Sequence, residues 1–211
     1  MKEMCRPREK NCAWIALGFY VSFMIALTLM GYLMSKGFSW YPLLYLFFVA
    51  VAVTIVLVRE RSLQSLGLSK KNLKIDGSIS LAIFVLAWVA RLLISDASPS
   101  TLTYDAVYYF FYIAFVEELL FRGLLQTYLF GFRLKKLWLL ILGGVLFALM
   151  HLPFQMFRHN NVSFGYVIDA LPQLLITFIF HMVLSIIADK RGNILIPTAL
   201  HYFWNYFVKA L

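Results

Sequence analysis

Charge is what this chain has least of. Aspartate, glutamate, lysine and arginine together make up 14% of its 211 residues, against about a quarter in a soluble domain. With 62% hydrophobic and 18% aromatic residues, that scarcity excludes a water-soluble globule and implies a membrane protein. Long polar stretches are missing too: the apolar segments follow one another through short connections, none long enough to fold by itself. The expected architecture is therefore all-α, a single polytopic helical bundle over residues 1–211. Internal repeats and low-complexity segments are absent. Acidic residues are the rarer sign, 10 against 19 lysines and arginines, for a formal charge of +9. No nucleic-acid-binding motif accompanies this excess, so nucleic acid is not an expected partner; basic loops beside membrane spans mark cytoplasmic sides and meet anionic lipid. Cysteine is limited to Cys5 and Cys12, near a basic N-terminus expected in the cytosol, where disulfides are rare. Both are read as free thiols rather than as palmitoylation sites. A cleaved signal peptide is not expected either. The first apolar run, at about 22 residues, exceeds a signal peptide's core and lacks a small-residue cleavage site.

What is present is a series of seven apolar segments. They run from about Cys12 to Met34, Tyr41 to Val58, Gly77 to Ser95, Asp105 to Phe130, Leu137 to Phe157, Leu171 to Ala188 and Ile194 to Leu211, each near the length that crosses a bilayer's hydrocarbon. Pro153 and Pro197 can each break a segment, which makes the count eight or creates a re-entrant piece. With the N-terminus inside, residues 1–11, 59–76, 131–137 and 189–192 hold 14 of the lysines and arginines, and the outer segments hold three, Lys36, Arg158 and Lys209. That asymmetry obeys the positive-inside rule, so a multi-pass protein of the cell membrane with a cytoplasmic N-terminus is expected. Arg91, at the far end of the third segment, is expected to snorkel to the interface.

Against this apolar background, Phe115-Val116-Glu117-Glu118-Leu119-Leu120-Phe121-Arg122-Gly123 stands out. A charged side chain at bilayer depth costs at least about 2.5–3.5 kcal/mol on insertion scales, which makes an intramembrane cluster a candidate functional site. Glu118 and Arg122 lie four residues apart on one helical face, in the order that favours an ion pair. Glu117 is turned about 100° away and lacks that partner. The pair therefore reads as a brace and Glu117 as the working carboxylate. Two further patterns lie in later segments, Phe147-x-x-x-His151 and His201-x-x-x-Asn205. At 1.5 Å per residue, Glu117 is about 20 Å from the inner end of its helix, His151 about 21 Å from the start of the next, and His201 about 12–14 Å from Gly192. The three patterns can therefore converge at comparable depth. His181, with no polar partner at helical spacing, reads as a histidine bonded to a neighbouring helix, and His159 as a solvated loop residue. Burying so many ionisable groups is expensive unless they satisfy one another or line a wet cavity.

A double glutamate followed by arginine, then Phe-x-x-x-His, then His-x-x-x-Asn, in that order and all in helices, resembles the CPBP intramembrane proteases. That family includes the type II CAAX prenyl endopeptidases and prokaryotic relatives linked to bacteriocin self-immunity and peptide maturation. Leu66-Gly67-Leu68 and Arg191-Gly192-Asn193 also resemble its connecting segments, so the likeness runs from about Ser62 to Phe207, after an N-terminal two-span segment over 12–58. The resemblance implies an intramembrane endopeptidase acting on a membrane-associated peptide or protein. It implies that Glu117 and His151 activate water, that His201 and Asn205 stabilise the oxyanion, and that Glu118 and Arg122 support them. It further implies a conical cavity open to the cytoplasm, and the chain's small size looks prokaryotic.

The chemistry is reasonable on its own terms. A carboxylate partly removed from water is a better base than one at a surface, and two donors four residues apart on one helix can both reach one developing oxygen. Glu117, His151 and His201 are also a possible zinc set. There is no His-Glu-x-x-His on one helix, and an obligatory catalytic metal is not expected. Two rival readings stay open: a non-catalytic scaffold, immunity or regulatory protein of the same fold, and a proton-coupled transporter. No paired broken-helix repeat supports the latter.

Overall fold

In the computed structural model, residue 4, residues 7–38 and residues 41–208 are described; Cys5 and Lys209 lie outside the described residues. Helices α1 (Lys10–Ser35) and α2 (Tyr41–Glu60) lead through a 3-10 turn at Gln64–Leu66 to α3 (Leu73–Ile94). A helix of changing pitch follows over residues 99–132: α4 (Pro99–Val107), π-helical stretches at Tyr108–Phe115 and Glu118–Leu125, α5 (Gln126–Leu129) and a 3-10 turn at Phe130–Phe132. Right-handed helical dihedrals continue across each junction. The chain ends in α6 (Lys136–Leu149), α7 (His151–Arg158), α8 (Phe164–Arg191) and α9 (Leu195–Val208). No strand occurs among the described residues.

Local chemistry sets several boundaries. The Ser98 hydroxyl accepts from the Thr101 N–H with Pro99 in the first turn, a serine N-cap followed by a pre-set φ. The fourth helix consequently starts at Pro99, ahead of the expected Asp105. Ser163 caps α8 in the same way through Tyr166, so α8 begins at Phe164 rather than Leu171. Pro153 has no N–H for the Leu149 carbonyl, and the helix loosens to a turn at Met150 between α6 and α7. Pro197 falls in the first turn of α9, where an amide has no intrahelical acceptor anyway, and the helix continues through it.

Among the described residues, five helical stretches are long and apolar enough to cross a membrane: Lys10–Ser35, Tyr41–Glu60, Leu73–Ile94, Lys136–Arg158 and Phe164–Arg191. On α8, the exposed residues Ile168, Leu171, Leu175, Ile179, Val183 and Ile186 recur every three or four positions, an apolar stripe suited to lipid. The fourth helix is the opposite case. Every residue from Val116 to Gly131 is buried, the polar Glu117, Glu118, Arg122, Gln126 and Thr127 included, so other helices enclose this segment on all sides. α1, α2 and α6 pack about its second half, α9 packs on its first π-helical stretch and on α3, and α6 packs on α8.

The connections gather at two ends. At one, the Arg8 guanidinium pairs with Glu60 at 2.5 Å, Lys136 with Asp189, and Arg191 with Asp76. There the Gly67 carbonyl accepts from the Ile194 N–H at 3.2 Å. A Cβ on Gly123 would lie 2.8 Å from the Leu66 carbonyl oxygen, so glycine allows the 3-10 turn to lie against the central helix. Leu66-Gly67-Leu68 is thereby held between that helix and the start of α9. At the other end, Arg91 does not snorkel. It is buried, donates to the Tyr206 carbonyl at 3.0 Å, and lies 4.7 Å above the Tyr206 ring. A guanidinium donates to a main-chain carbonyl and stacks on an aromatic ring at the same time, and this pairing lets Arg91 stay buried.

Candidate active site

The central helix brings Glu117 and Glu118 to the junction of its two π-helical stretches, a geometry frequent at functional sites. Their carboxylates go to different partners. Glu118 is fully buried, and its Oε1 accepts from Arg122 Nη1 across the expected four-residue spacing. The same oxygen meets His201 Nδ1 at 2.7 Å. The brace therefore also holds the imidazole from α9. With a carboxylate as acceptor, Nδ1 carries the proton and Nε2 is turned the other way.

That second nitrogen lies 3.6 Å from Glu117 Oε2. The other oxygen of Glu117 accepts from the Tyr45 hydroxyl at 3.1 Å, and Tyr45 in turn receives the Tyr41 hydroxyl at 2.7 Å. Glu117 thus stands apart from the Glu118–Arg122 pair, but a tyrosine chain from α2 orients it. Sequence reasoning passed over Tyr41 and Tyr45. Their only signal was polar hydroxyls, four apart, in a segment otherwise suited to lipid.

His151 opens α7, and its Nδ1 lies 3.1 Å from the Phe147 carbonyl. A carbonyl only accepts, so Nδ1 bears the proton and Nε2 is the acceptor of the neutral ring. Phe147 itself explains the aromatic in its motif. Its ring is 5.5 Å from His151, 4.9 Å from His181 and 6.1 Å from His201 by centroids, and the Arg122 guanidinium sits 5.1 Å over it. Phe180 covers the other side of the His201 ring at 5.6 Å.

Glu117, His151, His201 and Asn205 all line one cavity of about 530 Å³, within the range of small-ligand sites. His181 does not line it. It is buried against Gln126, Nε2 to Oε1 at 3.3 Å, and Gln126 is held by donating to the Leu139 carbonyl at 3.0 Å. His159 is exposed at the end of α7, on the rim of the cavity. Glu118 and Arg122 sit behind the wall, away from its surface.

No group of three His, Cys, Asp or Glu is arranged to hold a metal ion among the described residues. Glu118 and the Phe147 carbonyl each engage one nitrogen, of His201 and His151 respectively, partners that orient an imidazole without using its second nitrogen. The mouth bears on the expected topology. From Glu117 the cavity runs to Met34, Tyr41, Tyr104, Arg158 and Trp204, at the ends of α1, α7 and α9 and the starts of α2 and α4. These lie away from the basic connections. A cytoplasmic mouth and cytoplasmic basic loops, both expected from sequence, therefore conflict.

A family model described as "Type II CAAX prenyl endopeptidase Rce1-like" covers residues 99–207. It begins at Pro99, just after the Ser98 cap, rather than at Ser62, and takes in all three motifs. No curated protein and no solved structure matches the chain.

Proposed function

Since the chain belongs to the Rce1-like family of type II CAAX prenyl endopeptidases, a family of membrane-embedded proteases, we propose that it hydrolyses a peptide bond of a membrane-associated protein or peptide. The observation that carries this reading is the meeting of Glu117, His151, His201 and Asn205, from three separate segments, on one cavity. In this reading the bundle crosses the membrane seven times with its N-terminus in the cytoplasm. The helix over 99–132 and α9 are the two crossings beyond the five long apolar stretches.

Glu117 is the general base. The Tyr45 hydroxyl occupies Oε1, so Oε2 takes the proton from a water that His151 Nε2 helps orient as acceptor. The resulting hydroxide adds to the scissile carbonyl carbon. Its oxygen becomes an oxyanion that receives N–H groups from Asn205 and from His201. Nε2 of His201 donates only when the ring carries both protons, and the Glu118 carboxylate at Nδ1 is the counter-charge for that form. The proton on Glu117 passes to the leaving nitrogen as the C–N bond breaks, which returns the carboxylate. Donors fixed in advance at a developing charge typically contribute about 10²–10³ in rate each.

Tyr45 is a positioning residue here. A hydrogen bond to a charged group is worth about 1.5–3 kcal/mol, so Tyr45→Phe is expected to lower kcat by about tenfold or more with little change in KM. A rise in KM at constant kcat would instead make Tyr45 a substrate contact. The function itself is tested by comparing peptides from cells carrying the wild-type chain with those from cells carrying Glu117→Gln, with and without a zinc chelator. A set of peptides should disappear with Glu117→Gln, and the chelator should leave it in place. An unchanged peptide profile together with an unchanged cellular effect would identify a scaffold.

A further inference from the structure

The two ends of the bundle differ in charge, and the cavity opens at only one of them. Among the described residues, 12 lysines and arginines fall at residues 8–10, 59–74, 133–136 and 190–191, whereas three, Lys36, Arg91 and Arg158, fall at the other end. Of those three, Arg91 is buried and bonded to α9. Short loops rich in lysine and arginine stay in the cytoplasm, and the acidic residues among them weigh little in that balance. The cavity reaches the surface among Tyr104, Arg158, His159 and Trp204, at the end poor in these residues. The positions of the working groups agree. His151 is the first residue of the eight-residue α7 that ends at Arg158, so it lies about 10 Å from the rim, with the whole of α6 between it and the basic end.

Resting on the protease reading above, we infer that the cavity takes its substrate from the side of the membrane away from the cytoplasm. The substrate is an apolar stretch of polypeptide reached from that face, and not a prenylated C-terminus presented by a cytosolic protein. Tyr41, Tyr104, Tyr108, Phe154, Phe180 and Trp204 form most of the approach, with Arg158 at the rim. Flat aromatic walls accept apolar side chains of an extended peptide without demanding particular ones. The rim cation favours a substrate with a carboxylate on its outer side.

The direction of the mouth can be read without any cleavage. In a chain carrying Cys5→Ser and Cys12→Ala, single reporters are placed at the exposed rim (His159→Cys) and at the exposed basic end (Lys70→Cys). A membrane-impermeant maleimide is then applied to intact cells and, separately, to lysed ones. His159→Cys should label fully in intact cells and Lys70→Cys only after lysis. The reverse pattern overturns the inference. Mapping the peptides lost with Glu117→Gln gives a second reading: sequences from outward-facing segments or exported peptides support it, and cytosolic C-termini overturn it. If no peptide is lost, the protease reading fails, while the labelling pattern still decides which way the cavity faces.

Discussion

Glu117→Gln is expected to abolish hydrolysis by the purified protein, lowering kcat by about 10²–10⁴, the usual contribution of a positioned general base. The substitution nearly preserves size and leaves an oxygen to accept from the Tyr45 hydroxyl, now 3.1 Å from Oε1. What it removes is the ability to take a proton. KM on a reporter peptide should therefore change little, and the thermal unfolding midpoint should hold. Glu118→Gln should lose less activity, because an amide oxygen can still accept from Arg122 and from His201 Nδ1, while its charge is gone. Equal losses from the two substitutions, in equally well-folded protein, would mean that the carboxylates share one role and that the assignment of Glu117 as base is wrong.

The second large effect is on stability. Arg122 and Glu118 are both fully buried as a pair, and a buried pair is a weak source of stability while intact but costly to break. Arg122→Met fills similar space and leaves the Glu118 carboxylate without its counter-charge, at a cost of about 3–5 kcal/mol. The unfolding midpoint in detergent should fall steeply. Adding Glu118→Gln to Arg122→Met removes the stranded charge and should recover much of the loss. If the double variant is no more stable than Arg122→Met, the penalty comes from lost packing over Phe147 instead. Activity should drop in both variants, since the side chain at 118 loses the guanidinium that fixes it against His201 Nδ1.

Much of this arrangement was legible from spacing. Apolar run lengths pointed to an all-helical bundle, and five helical stretches among the described residues are long and apolar enough to cross a membrane. The Glu118–Arg122 pair followed from four-residue spacing, as did the separation of Glu117 from it. Contacts made by packing were not legible. Tyr45 reaches Glu117 across 72 positions and His201 reaches Glu118 across 83, and nothing in either segment's periodicity announces the partner. Arg91 escaped for the same reason: its acceptor is a carbonyl 115 residues away. The π-helical pitch over 108–125 escaped too, because a 3.6-residue period was assumed throughout. The direction of the cavity mouth depends on which helix ends flare apart, and residue spacing does not encode that.

Phe147 has a consequence for how the site can be dissected. One benzyl ring touches Arg122, His151, His181 and His201 at once, so trimming any of these neighbours gives the ring room to tilt toward the vacancy and drag the rest. Energies measured one substitution at a time around it are therefore not independent quantities, since groups that share a wall couple by about 0.5–3 kcal/mol. Ranking the histidines by single-variant losses would credit each of them with part of the same displacement, and only paired substitutions can separate an imidazole's own chemistry from the leaning of its neighbour.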